Sequence, residues 1–190
     1  MEIYLVRHTS VETLGDTCYG HADVALAGTF EEEAAKVMQV LPKSFDKIYC
    51  SPAIRCHRLA LKFEHEVTIE NDLIEMNFGD WERCKWNDIN AQELDRWMKD
   101  FVTICPPNGE NLNMLYYRVS QFLEALRNQK FNKVLIVTHA GVLRCIWAYL
   151  LAIPLQNIFK INVALGEVLK IQINENKDLD KIVWSKNTVL

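Results

Sequence analysis

The sequence lacks any apolar stretch long enough to span a bilayer, so no membrane is expected as its home. It also lacks a cluster of Lys and Arg, and its formal net charge is −4. Nucleic acid and anionic membrane surfaces are therefore poor partners. Paired C-x-x-C spacing is absent from the six cysteines, Cys18, Cys50, Cys56, Cys84, Cys105 and Cys145. Cys50, Cys56 and His57 invite comparison with metal ligands, but a fourth ligand is missing. No metal and no cofactor is expected, and most of the thiols read as small buried hydrophobes. Repeats, low-complexity tracts and Gly/Ser linkers are missing too. The first residues read as a strand and not as a basic segment with an apolar signal core. A cytoplasmic protein is the expectation.

What is present is an ordinary globular balance, 49% apolar and 24% charged over 190 residues. That length suits one α/β domain spanning 1–190, with no second. Residues 2–6 and Lys47-Ile48-Tyr49-Cys50 read as buried strands. Between them Phe30, Ala34, Val37, Met38 and Leu41 recur at helical spacing. Glu31-Glu32-Glu33 opens that helix, where negative charge suits the dipole. Ser51-Pro52 reads as an N-cap and first-turn proline for a helix running towards Glu64. Two more amphipathic helices are marked by Leu115, Val119, Phe122, Leu123 and Leu126, and by Leu143, Ile146, Trp147, Leu150 and Leu151.

Leu169, Ile171 and Ile173 alternate with polar residues, and Lys181-Ile182-Val183-Trp184 follows a polar turn, so a hairpin at the sheet edge is predicted. The sum is a three-layer α/β/α fold with a mostly parallel sheet. Residues 66–110 fit less well. They read as an insertion over the ends of the strands, with a helix near 86–101, able to cover a pocket.

Two apolar strands finish in histidine: Ile3-Tyr4-Leu5-Val6 runs into Arg7-His8-Thr9, and Val134-Leu135-Ile136-Val137 into Thr138-His139-Ala140-Gly141. Open α/β sheets place ligand crevices at such strand ends. Far apart in sequence, the pair suggests one site assembled by the fold.

With Ser51-Pro52-Ala53-Ile54-Arg55 and Leu73-Ile74-Glu75-Met76-Asn77-Phe78-Gly79-Asp80-Trp81-Glu82, these motifs in this order resemble the histidine phosphatase superfamily, also called phosphoglycerate mutase-like. The resemblance covers essentially the whole chain. It implies a phosphomonoester hydrolase that works without a metal through a phosphohistidine. His8 would be the nucleophile, Arg7 and Arg55 the phosphate-binding cations, His139 a second phosphoryl contact, and Glu75 the proton donor. Glu82 is the rival acid, but its place after the Phe-Gly pair makes it a loop-shaping residue. His21, His57 and His65 match no catalytic position, and the tryptophans and Phe78 read as packing.

A finer likeness lies in Gly15-Asp16-Thr17-Cys18-Tyr19-Gly20-His21-Ala22-Asp23-Val24-Ala25-Leu26, where Cys-Tyr-Gly is followed by an Asp and a Leu, and in Arg55-Cys56-His57-Arg58-Leu59-Ala60. Both resemble the α-ribazole-5′-phosphate phosphatase branch, whose members act in assembly of the nucleotide loop of cobalamin. The resemblance implies a small-molecule phosphomonoester as partner, with Thr9, Tyr19, Gly20 and Ala140 joining Arg7, Arg55 and His139 in binding it. Thr9-Ser10-Val11-Glu12 replaces the Gly-Glu-Thr of many mutase-like relatives, and Leu14-Gly15 offers no phosphate-contacting amide, which speaks against a phosphoglycerate mutase. Another member of the superfamily (a sugar-phosphate or other small-molecule phosphatase, a phosphoprotein phosphatase or a mutase-like enzyme) and a non-catalytic phosphate-binding module are the remaining alternatives. Gly109-Glu110-Asn111 predicts a helix capped by Asn111.

Overall fold

A computed structural model describes residues 1–12 and 16–188; Leu14 and Gly15, set against the mutase pattern, lie outside the described residues. Six strands form one sheet: β1 (Glu2–Arg7), β2 (Lys47–Cys50), β3 (Val67–Ile69), β4 (Lys133–Thr138), β5 (Val168–Gln172) and β6 (Lys181–Lys186). Their spatial order is β3-β2-β4-β1-β5-β6. The four strands from β3 to β1 run parallel, and β5 and β6 add the antiparallel edge hairpin. The predicted mostly parallel sheet is thus found.

Alternation along the central strands builds two cores. Ile3 and Leu5 of β1, with Val134 and Ile136 of β4, pack with helices α4 (Leu112–Arg127) and α5 (Ala140–Leu151). Tyr4, Val6, Leu135 and Val137 face the other way, onto α1 (Phe30–Val40) and α2 (Ile54–Ala60). A period of two on strands buried on both faces gives near-continuous apolar runs, which is why these segments were legible.

The acidic run at the start of α1 is structural. Glu33 is buried and accepts hydrogen bonds from the Ser10 N–H and the Thr29 hydroxyl, while Glu31 and Glu32 pair with Lys62 and Lys36. Asn111 caps α4, its side chain accepting from the Met114 N–H at 3.0 Å.

Three expectations need correction. α2 begins after Ala53 without a side-chain cap and ends at Ala60, short of Glu64; Ser51 stays outside it, its hydroxyl accepting from the Ala53 N–H at 3.3 Å and meeting His139. The region from 66 opens with strand β3, paired to β2 at the sheet edge. Its helix, α3, covers only Ala91–Lys99, with a short 3-10 turn at Trp86–Asp88 before it. Asn90 caps α3 by accepting from the Gln92 and Glu93 N–H groups, and this cap fixes the later start.

Candidate active site

Register brings the two histidines together. Val6 of β1 and Cys50 of β2 both pair with Val137 of β4. The next residues along these neighbouring strands are therefore in step. His8 donates its backbone N–H to the Thr138 carbonyl, and Ser51 donates its own to Val137. The rings of His8 and His139 meet edge-on with centroids 5.3 Å apart, and both residues are fully buried or nearly so. The Ser51 hydroxyl lies 2.7 Å from His139 Nε2, with the buried Cys56 thiol 3.5 Å away.

The tautomer of His8 follows from its neighbour. Nδ1 lies 2.8 Å from the Thr9 carbonyl oxygen, which can only accept, so Nδ1 carries the proton and Nε2 keeps a lone pair. Burial holds the His8 pKa well below its ordinary value, aided by the charges of Arg55 and Arg7. Burial first, then Arg55, lowers His139 in the same way. Both imidazoles are neutral at physiological pH.

A cavity of about 210 Å³ opens over these strand ends, lined by Arg7, His8, Arg55, Glu75 and His139. Its cations are held by carbonyls. Arg7 donates to the Val163 oxygen at 2.6 Å. Arg55, 1% exposed, donates to the Gly20 and Ala22 oxygens at 2.6 and 3.0 Å and lies over the Tyr19 ring. Neither guanidinium has a carboxylate within ion-pair distance among the described residues, and the Nε of each is buried without a partner. Such cations remain uncompensated until an anion reaches them. Burial lowers the pKa of Arg7, with Glu75 opposing the shift.

Among the described residues Glu75 is the single carboxylate lining this cavity. One oxygen accepts from the Gly141 N–H at 3.1 Å and the other from the Met76 N–H at 2.9 Å. A Cβ on Gly141 would sit 2.2 Å from the carboxylate, so only glycine admits it there. Arg118, which sequence reasoning missed, fixes the backbone below. It donates to the carbonyls of Asp72 and Glu75 and pairs with Glu110, whose carboxylate accepts from the Asn77 N–H.

Glu82 shapes the loop, as its position implied. Its carboxylate accepts from the N–H groups of Gly20, His21, Ala22 and Phe78, all at 2.9 to 3.0 Å. The same loop turns its carbonyls to Arg55. At Gly20 a Cβ would lie 1.9 Å from the Met76 oxygen. A glycine is required there too.

Of the expected contacts, Tyr19 lines the cavity with the five residues above, whereas Thr9, Gly20 and Ala140 do not. Thr9 and Gly20 act through carbonyls on His8 and Arg55, and Ala140 opens α5. Phe78 and Trp86, expected as packing, do pack edge-on at 5.6 Å and also form cavity wall. Arg144 and Phe159 were missed. A lone arginine inside the apolar run Val142-Leu143-Arg144-Cys145-Ile146 was the available signal. Among the described residues no helix is long and apolar enough to cross a membrane.

The model of the histidine phosphatase superfamily, branch 1, matches residues 3–184. An adenosylcobalamin/α-ribazole phosphatase of Escherichia coli K12 is 32% identical, covering 92% of this chain and 91% of that protein. A phosphoserine phosphatase of Hydrogenobacter thermophilus is 26% identical over 94% of this chain and 90% of its own. The crystal structure of the α-ribazole phosphatase from Shigella flexneri superposes with a TM-score of 0.84 at 31% identity, covering 92% of each chain. The fold is thus the phosphoglycerate mutase-like α/β fold.

Two outcomes are expected from this geometry. The unfolded chain binds protons at histidine near pH 6.5 while buried His8 and His139, with lowered pKa values, do not. Their stability contribution is therefore present above that pH and is lost as pH falls below it. The pair should cost about 2–3 kcal/mol between pH 7 and 5.5, and urea unfolding of wild type and a His8→Asn/His139→Asn variant should show the slope in the first only. Glu82→Gln should weaken inorganic phosphate binding about tenfold, by releasing the loop that aims Arg55; calorimetry checks this, and unchanged affinity would show that the loop does not set Arg55.

Proposed function

The chain belongs to the histidine phosphatase superfamily, and on that footing we propose that it hydrolyses a small phosphomonoester through a phosphohistidine at His8, with α-ribazole 5′-phosphate as substrate. The observation that carries the mechanism is the His8 Nδ1–Thr9 carbonyl hydrogen bond, which leaves Nε2 unprotonated beside an uncompensated pair of guanidinium groups. In this reading Arg7 and Arg55 hold the phosphate oxygens and balance their charge. His8 Nε2 attacks phosphorus, the ester P–O bond breaks, and Glu75 gives its proton to the departing alkoxide. Water then attacks the phosphohistidine and gives its proton to Glu75, and the N–P bonding pair returns to the imidazole. His139, neutral and braced by Ser51, contributes a hydrogen-bonding contact to the transferring group.

For the leaving group, two features support a nucleoside with a planar base. Relatives at 32% and 31% identity carry the α-ribazole phosphatase name, and Phe78, Trp86 and Phe159 give the cavity an aromatic wall. A setting in the reducing cytosol, with neither a metal nor nucleic acid as partner, accords with six free cysteines and the net charge of −4.

Steady-state assays in EDTA should give the highest kcat/KM for α-ribazole 5′-phosphate, ahead of phosphoserine, 3-phosphoglycerate and p-nitrophenyl phosphate. A preference for phosphoserine would overturn the substrate assignment. His8→Ala should abolish turnover and acid-labile labelling of the protein, while Glu75→Gln should slow turnover on the order of a hundredfold or more with substrate still bound. An active His8→Ala enzyme would remove the mechanism.

A further inference from the structure

Arg144 is a third cation on the cavity wall. It stands on α5 one helical turn beyond Gly141, whose N–H meets the Glu75 carboxylate, so both residues present the same face of the helix. A proton donor must face the oxygen that departs, which places Arg144 on the leaving-group side of the cavity. Electrostatic coupling to Glu75, the largest charge effect on Arg144, agrees with that placement.

Its guanidinium is anchored by one edge only. Nε donates to the Ile161 carbonyl at 3.0 Å, and the group lies over the Phe159 ring at 5.4 Å. No hydrogen bond from its two terminal nitrogens to a described residue is found, and no carboxylate lies within ion-pair distance of it among the described residues. A half-buried arginine with a fixed plane and two free amino groups is a recognition element without a protein partner. With Arg7 and Arg55 already assigned to the phosphoryl group, its partner is to be sought on the rest of the substrate.

We propose that Arg144 is the specificity-determining residue for the leaving group, its terminal N–H groups hydrogen-bonding the vicinal hydroxyls of a pentose 5-phosphate. The inference rests on the reading of the site given above and extends it to the substrate's sugar. Phe78, Trp86 and Phe159 give the cavity an aromatic wall, which suits a nucleoside better than a small amino acid. On such a leaving group the vicinal hydroxyls, with the ring oxygen, are the polar atoms nearest the ester oxygen.

The test uses the full chain and its Arg144→Leu and Arg144→Lys variants with ribose 5-phosphate, 2-deoxyribose 5-phosphate, phosphoserine and p-nitrophenyl phosphate. Arg144→Leu is expected to lower the ratio of kcat/KM for ribose 5-phosphate to that for p-nitrophenyl phosphate about tenfold, chiefly through KM. Arg144→Lys should restore part of it, and wild type should discriminate against the 2-deoxy sugar where Arg144→Leu does not. An unchanged ratio, with all substrates losing alike, would make Arg144 part of the phosphate cradle and overturn the proposal. A loss confined to phosphoserine would overturn it in favour of a carboxylate reader. Urea unfolding of both variants separates these losses from misfolding. Were wild type to show no preference for α-ribazole 5′-phosphate, the substrate assignment would fall, while the ribose comparison would still decide the role of Arg144.

Discussion

Parallel pairing of β4 between β2 and β1 is the constraint on which the rest of the site depends. Because Val6, Val137 and Cys50 share a register, His8 and His139 lie level with each other two residues further on, and Ser51 lies one residue beyond Cys50. A slip of one residue between β1 and β4 would turn one imidazole to the opposite face of the sheet, and a slip between β2 and β4 would turn Ser51 away from His139. The apolar alternation that fills both cores therefore also sets the spacing of the histidines. Packing and chemistry are specified by the same residues.

The second principle of the site is how its charges are held. Arg7, Arg55 and Arg144 are each anchored by backbone carbonyl oxygens, from Val163, from Gly20 and Ala22, and from Ile161. Carbonyl dipoles orient a guanidinium without neutralising it, whereas a carboxylate would consume the charge needed for an anion. The carboxylates of Glu82 and Glu110 are instead directed at backbone N–H groups and at Arg118. Burial keeps both histidines uncharged, so positive potential is concentrated on the arginines.

Much of this was legible in the sequence. Strands buried on both faces leave unbroken apolar runs, and strand-end motifs mark a crevice, so β1, β2, β4 and the two histidines could be found. The rest was decided by distant contacts. Val67-Thr68-Ile69 is too short to show a period, and it forms a strand because β2 offers an edge. Ser51 looks like a helix cap, but its hydroxyl faces His139 across the sheet. Arg118 and Arg144 sit inside amphipathic helices, where their charge looked incidental until the carbonyls they reach could be seen.

The loop at 20–22 runs opposite in polarity to a glycine-rich phosphate loop, which wraps an anion in amide hydrogens. Here Glu82 occupies the amides, and the carbonyls face the cavity side through Arg55. In the proposed reading oxyanion affinity is consequently vested in the Arg7 and Arg55 side chains and not in main chain. It can be retuned by single codon changes without remodelling the scaffold, a freedom that would let one architecture drift between substrates.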